Sequence, residues 1–136
     1  MSKLVPLRIP SGWAVIINHF ADEDPVIKDG RIVNDHFYSE DLLYIETIRG
    51  DDGRWVNNVE GHTIELGWLP ESDPNGRYRL ELLRSHLNHL LLEVESRDRQ
   101  IIRVAIERAM EMVTQGIDDR EISPLLTKEL NVLMNS

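Results

Sequence analysis

The residues from Glu60 to Arg84 constrain this chain more than any other stretch, because two alternating runs flank a turn of explicit chemistry. Ile64, Leu66 and Trp68 alternate with Thr63, Glu65 and Gly67; beyond the turn, Tyr78, Leu80 and Leu82 alternate with Arg77, Arg79 and Glu81. A period of two places one set on a buried face and the other in water, which predicts a β-hairpin within an antiparallel sheet. The link, residues 70–76, reads Pro-Glu-Ser-Asp-Pro-Asn-Gly. Asp73 opens a turn, Pro74 presets φ for the next position, and Asn75-Gly76 tolerate positive φ. The link is longer than the tightest hairpins use.

The flanking segments extend this reading. Lys3 to Ile9 alternates weakly, and Pro6 suits an edge strand or an extended lead-in. After the turn Pro10-Ser11-Gly12, the run from Trp13 to Phe20 is continuously apolar and β-rich, which predicts a strand buried on both faces for most of its length. Residues 21–41 are polar and acidic with Pro25 and Gly30, so a long loop is expected, with a short strand around residues 31–33. A loop of this length in a compact domain is often functional. Leu42 to Arg49 reads as a strand, residues 50–53 as a turn and residues 54–59 as a short return. Past the hairpin, residues 86–89 connect to a closing strand, Leu90 to Glu95.

From Ser96 the period changes to 3.6. Ile101, Ile102, Ala105, Ala109, Met112 and Val113 form one stripe, predicting a helix over residues 97–115. Ser96 or Asp98 can cap it, and Gly116 suits its stop. A second helix is expected over residues 123–134, with Ser123 as cap and Pro124 at its first position. Its stripe is Ile122, Leu125, Leu126, Leu130, Leu133 and Met134. So short a helix persists only when docked, on the first helix, the sheet or a second subunit. The whole, residues 1–136, reads as one α+β domain: an antiparallel meander of five or six strands over residues 3–95, then two helices packed on one face.

Composition sets the class of function. With 136 residues, 41% of them hydrophobic, the chain can build a single core. It has no cysteine, which excludes disulfides, zinc–thiolate sites and thiol catalysis. Met1 to Pro10 lacks a continuous apolar stretch, and no run approaches the ~20 residues of a spanning helix, so a soluble cytoplasmic protein is expected. The net charge is −9, and the segment from Asp22 to Asp52 holds ten acidic residues against three basic, about −7 of that total. Such a field repels nucleic acid and attracts a basic partner.

Chemical motifs are sparse. His86-x-x-His89 with Glu93 has the spacing of metal ligands, but it falls in a strand connection and lacks the intervening glutamate of the zinc-protease pattern. Two surface histidines are the expectation, and no metal is assigned. Asp22-Glu23-Asp24 and Asp51-Asp52 lack the spacing of a calcium loop. Ser11 lies outside any nucleophile-elbow pattern, and neither a dinucleotide fingerprint nor a phosphate loop is present. No catalytic residue and no cofactor follow. Trp13 and Trp68 sit in apolar strands and read as core, whereas Trp55, beside a Gly-rich turn with Asn57 and Asn58, is a candidate interface anchor.

Taken together, Ile9-Pro10-Ser11-Gly12-Trp13, Asn18-x-Phe20, Asp24-Pro25, Glu40-Asp41-Leu42-Leu43, Ile64-x-x-Gly67-Trp68-x-Pro70-Glu71-x-Asp73-Pro74-x-Gly76-x-Tyr78 and Ser96-Arg97-Asp98 resemble a group of small acidic bacterial proteins, the immunity partners of polymorphic or contact-dependent toxins. The similar motifs span residues 9–98 and are mostly turn and core positions, which speak for fold more than for activity. The resemblance implies a protein without chemistry of its own that binds a toxin domain, often a basic nuclease. Asp22, Glu23, Asp24, Asp35, Glu40, Asp41, Asp51 and Asp52 would then be the electrostatic contact and Trp55 an anchor, with neither nucleic acid nor membrane as partner. Two other readings stand beside it. One is a small metal-binding or hydrolytic enzyme using His86, His89 and nearby carboxylates. The other is a homodimer formed through the C-terminal helices.

Overall fold

The computed structural model describes residues 3–135. Its elements are β1 (Trp13–Asn18), β2 (Ile27–Lys28), β3 (Arg31–Ile32), β4 (Leu43–Asp51), β5 (Arg54–Asn57), β6 (His62–Leu69), β7 (Arg77–Arg84), β8 (His89–Ser96), α1 (Arg99–Thr114) and α2 (Asp119–Met134). An antiparallel sheet runs β1-β4-β6-β7-β8, with β5 hairpinned onto β4, while β2 and β3 pair separately. The protein is an α+β fold with its helices after the sheet.

The central hairpin forms in the register its alternation dictates. Ile64 faces Leu82, Leu66 faces Leu80 and Trp68 faces Tyr78, and all six are buried. The link between the two strands spans residues 70–76. Positive φ falls on Ser72, at 57°, not on Asn75 or Gly76. Asp73 opens the turn as its sequence position suggests, through its carboxylate, which accepts the Asn75 N–H at 2.8 Å. Gly76 is required for space: a Cβ there would lie 2.6 Å from Trp68 Nε1.

β5 and β6 follow one another along the same side of β4. Asn57 pairs with Ile48, the Asn58 N–H donates to the Thr47 carbonyl, and Thr63 pairs with Glu46. The run from Trp13 corrects the expectation of a doubly buried strand. β1 ends at Asn18 and is the sheet's edge, with Val15, Ile16 and Ile17 exposed. Continuous apolarity cannot by itself distinguish a central strand from an apolar edge. Trp13 is buried, its indole N–H donating to Thr114 Oγ1 at 3.0 Å. Residues 3–12 add only an isolated bridge, Leu4 to Ala21, so the sheet begins at β1 rather than at Lys3.

α1 is capped by Asp98, whose carboxylate accepts the Gln100 N–H at 2.8 Å. It stops in a Schellman arrangement, with Ile117 N–H to Met112 O and Gly116 N–H to Val113 O. Ile106 and Met110 join the predicted stripe in the core. α2 corrects the second expectation: it starts at Asp119 with Asp118 as its cap, and Pro124 lies inside it. Its buried stripe is narrower than predicted, being Ile122, Leu126 and Leu130, with Leu125, Leu133 and Met134 at 40–56% exposure.

The helices cover the face that carries Ile64, Leu66, Tyr78, Leu80, Leu82 and Leu92. At one end of this core, Tyr38 and Tyr78 each pack edge-on against Trp68, at 4.9 and 5.0 Å between ring centroids. At the other, Asp119 is clamped by His62 Nε2 at 2.8 Å and Arg84 Nε at 2.9 Å. Burial works against its ionised form, but the bonds from His62 and Arg84 prevail and hold the Asp119 carboxyl below the usual range. Among the described residues, no buried side-chain nitrogen or oxygen lacks a hydrogen-bond partner.

Candidate partner-binding face

Opposite the helices, the sheet presents a face rich in carboxylates. Register alone assembles it. Across the strands at one level run Ile17, Tyr44, Glu65, Glu81 and Glu93, each the ladder partner of the next. The adjacent level holds Gly67, Arg79 and Glu95, and the level on the other side holds Ala14, Glu46 and Thr63. Strand pleating sends these side chains to the face away from Ile64, Leu66 and Leu80. Glu65, Glu93 and Glu95 are exposed, and Glu46 and Glu81 are half-buried.

Two further acids arrive from the segment before β4. Trp68 N–H donates to Ser39 O and Leu42 N–H to Leu66 O, so residues 39–42 lie alongside β6 with Glu40 and Asp41 bulged between the two bonds. Gly67 permits this: a Cβ there would sit 2.1 Å from the Glu40 carbonyl oxygen. The bulge and the sheet enclose a shallow cleft of about 230 Å³, lined by Ile17, Glu40, Asp41, Tyr44, Glu65, Arg79 and Glu81 among others. Partial burial pushes the Glu65 carboxyl up, and Glu81 and Asp41 push it in the same direction. Arg79 answers some of this charge, reaching Glu95 at 3.3 Å and Glu93 at 3.6 Å.

The acids singled out in the sequence are not brought together. Arg99 holds Asp22 at 3.1 Å, Asp24 at 2.9 Å and the Glu23 carbonyl at 2.8 Å, fastening that run to the start of α1. Asp35 lies in a one-turn 3₁₀ helix after β3. Glu40 and Asp41 flank the cleft. Asp51 and Asp52 form the β4–β5 turn, where Asp51 faces Arg54, roughly 26 Å along β4 from the Glu40–Asp41 bulge at ordinary strand rise. Trp55 stands beside that turn, 72% exposed. Sequence reasoning missed Glu65, Glu81, Glu93 and Glu95 as a set, because their proximity is a property of register. Glu65 and Glu81 could have been found from the hairpin's alternation alone.

His86, His89 and Glu93 do not converge. His89 pairs with Arg84 on the helix side of the sheet, whereas Glu93 pairs with Glu81 on the other. Among the described residues, no cluster of three or more His, Asp or Glu side chains is placed to hold a metal ion, and no helix is long and apolar enough to cross a membrane.

A further cleft, of about 450 Å³, lies beside Tyr38, Trp68 and Tyr78. Its two guanidinium groups are already committed, Arg97 to the Pro74 and Gly76 carbonyls and Arg99 to the Asp22–Asp24 run. Compared with known proteins, the chain matches no family model, no curated protein and no solved structure.

Proposed function

We propose that this protein is a non-enzymatic binding partner, an immunity or inhibitor protein that neutralises a basic toxin domain in the cytoplasm. The observation that carries this reading is the cross-strand row Glu65–Glu81–Glu93, flanked by Glu40, Asp41 and Glu95 on a sheet face that the helices leave open. Like charges placed directly opposite on a sheet are destabilising, so a fold that keeps them has a use for them. Lysines and arginines that grip phosphate in a nuclease are complementary to such a row, and long-range attraction would speed the encounter. The acidic contact is therefore reassigned, from Asp22–Asp24 to the sheet face, with Glu40 and Asp41 common to both.

The hydrolytic alternative now draws on Glu65 rather than on the histidines, because a carboxyl of raised proton affinity beside a second carboxylate is the ingredient of general acid catalysis. One experiment separates the two. If a neighbouring gene encodes a basic toxin domain, the chain is coexpressed with it, and growth and complex affinity are measured for wild type and for the double variant Glu65→Lys, Glu81→Lys. Rescue by wild type, with affinity at least tenfold weaker in the variant (about 1.4 kcal/mol), is expected. Undiminished binding by the variant would remove the sheet face from the interface, and turnover of a glycoside by the chain alone would overturn the non-enzymatic reading.

A further inference from the structure

β1 is an edge strand of unusual composition. Val15, Ile16 and Ile17 are consecutive and 40%, 54% and 42% exposed, and no charged residue interrupts β1. The opposite edge, β8, carries Glu93 and Glu95, the kind of charge that discourages strand addition. The backbone of β1 is open as well. Ile48 N–H donates to Gly12 O at 2.9 Å, which makes Trp13–Thr47 a non-hydrogen-bonded pair. By alternation, the N–H and C=O of Val15 then point away from β4.

We propose that this edge receives an extended strand of the basic partner, which continues the sheet past β1. The proposal rests on the reading that the partner is basic, and adds how it docks. Charge selects the occupant. Ile17 shares the acidic cleft with Glu40, Asp41 and Glu65, and Ala14 faces Glu46 across the ladder. A second copy of this chain would set these carboxylates against its own, −9 against −9. A strand with lysine or arginine at alternate positions instead lays its cations over the acidic face and its intervening apolar side chains beside Val15. Main-chain pairing supplies affinity, and the alternation supplies specificity.

The test needs no knowledge of the partner. The probe is a blocked seven-residue peptide, Lys-Val-Lys-Val-Lys-Val-Lys, titrated into the ¹⁵N-labelled full chain at low salt, with amide exchange read residue by residue. Saturating peptide is expected to slow exchange of the Val15 amide at least about tenfold. Val15→Pro, which removes an outward N–H and leaves the bonds to β4 in place, is expected to abolish binding. The same peptide N-methylated at alternate residues should also fail, which guards against a variant that misfolds. Binding that is lost in the Glu65→Lys, Glu81→Lys variant but unaffected by Val15→Pro and by N-methylation would overturn the edge proposal and leave the acidic-face reading standing. No binding of the peptide at all would overturn both.

Discussion

Glu65 and Glu81 face each other directly across β6 and β7, carboxylate opposite carboxylate on the open side of the sheet. A pair of this kind opposes folding whenever both groups are ionised. Because the folded state raises the proton affinity of Glu65, it binds protons more readily than the unfolded chain does. Stability from this source is greatest at low pH and is lost as pH rises through the glutamate range.

Replacing Glu65 with glutamine should therefore stabilise the protein at pH 7, by about 0.5 kcal/mol, the scale of a cross-strand charge pair. Urea denaturation at pH 7 and pH 4 checks it: the gain should shrink at the lower pH, where wild-type Glu65 takes up a proton. The same substitution should weaken binding of a basic partner.

Asp119 predicts the opposite sign. Its folded carboxyl lies below the usual range, so its contribution is complete above the unfolded aspartate range and is lost as pH falls through the folded value. Asp119→Ala strands His62, 7% exposed, without its acceptor and leaves half-buried Arg84 only the Glu60 carbonyl, and should cost about 2 kcal/mol at pH 7. Thermal melts should show the variant and wild type converging as the pH is lowered.

Gly67→Ala forces a Cβ to within 2.1 Å of the Glu40 carbonyl oxygen, so the bulge must move. A loss of at least ~2 kcal/mol is expected, since backbone rather than a flexible side chain must yield. Faster amide exchange at Leu42 and Trp68, whose N–H groups hold the bulge to β6, would report the displacement.

Arg99→Ala should act locally. Its carboxylate partners Asp22 and Asp24 are 70% and 89% exposed, and ion pairs that open contribute under about 1 kcal/mol. The global melting temperature should barely change, while limited proteolysis near Glu23 should accelerate once the run loses its tether to α1.

Where local pattern and tertiary environment agreed, the fold was legible. The hairpin register followed from alternation, and α1 followed from its period and from Asp98. The failures share one cause, that a residue's role depends on its neighbours across the chain. The apolar run after Trp13 reads as interior, yet only β4 lies beside it. Pro124 reads as a start, yet Asp118 caps α2 a turn and a half earlier, and packing of Ile122 and Leu126 carries the helix through the proline. The candidate site was half legible. The excess of acid was plain, but linear proximity misled: Asp22–Asp24 are bound by a distant arginine, and the acids that do assemble come from three strands and a bulge.

α2 is fastened at both ends to different parts of the molecule, by Asp119 to the sheet and by Glu129 to Arg108 of α1 at 2.8 Å. It works as a cross-brace, and shortening the chain at Gly116 would unroof the interior over β8 and take a carboxylate partner from Arg84 and from Arg108 in one cut. Sheet and helices should therefore melt as one cooperative body, which makes surface substitution, rather than truncation, the instrument for separating what this protein binds from what holds it together.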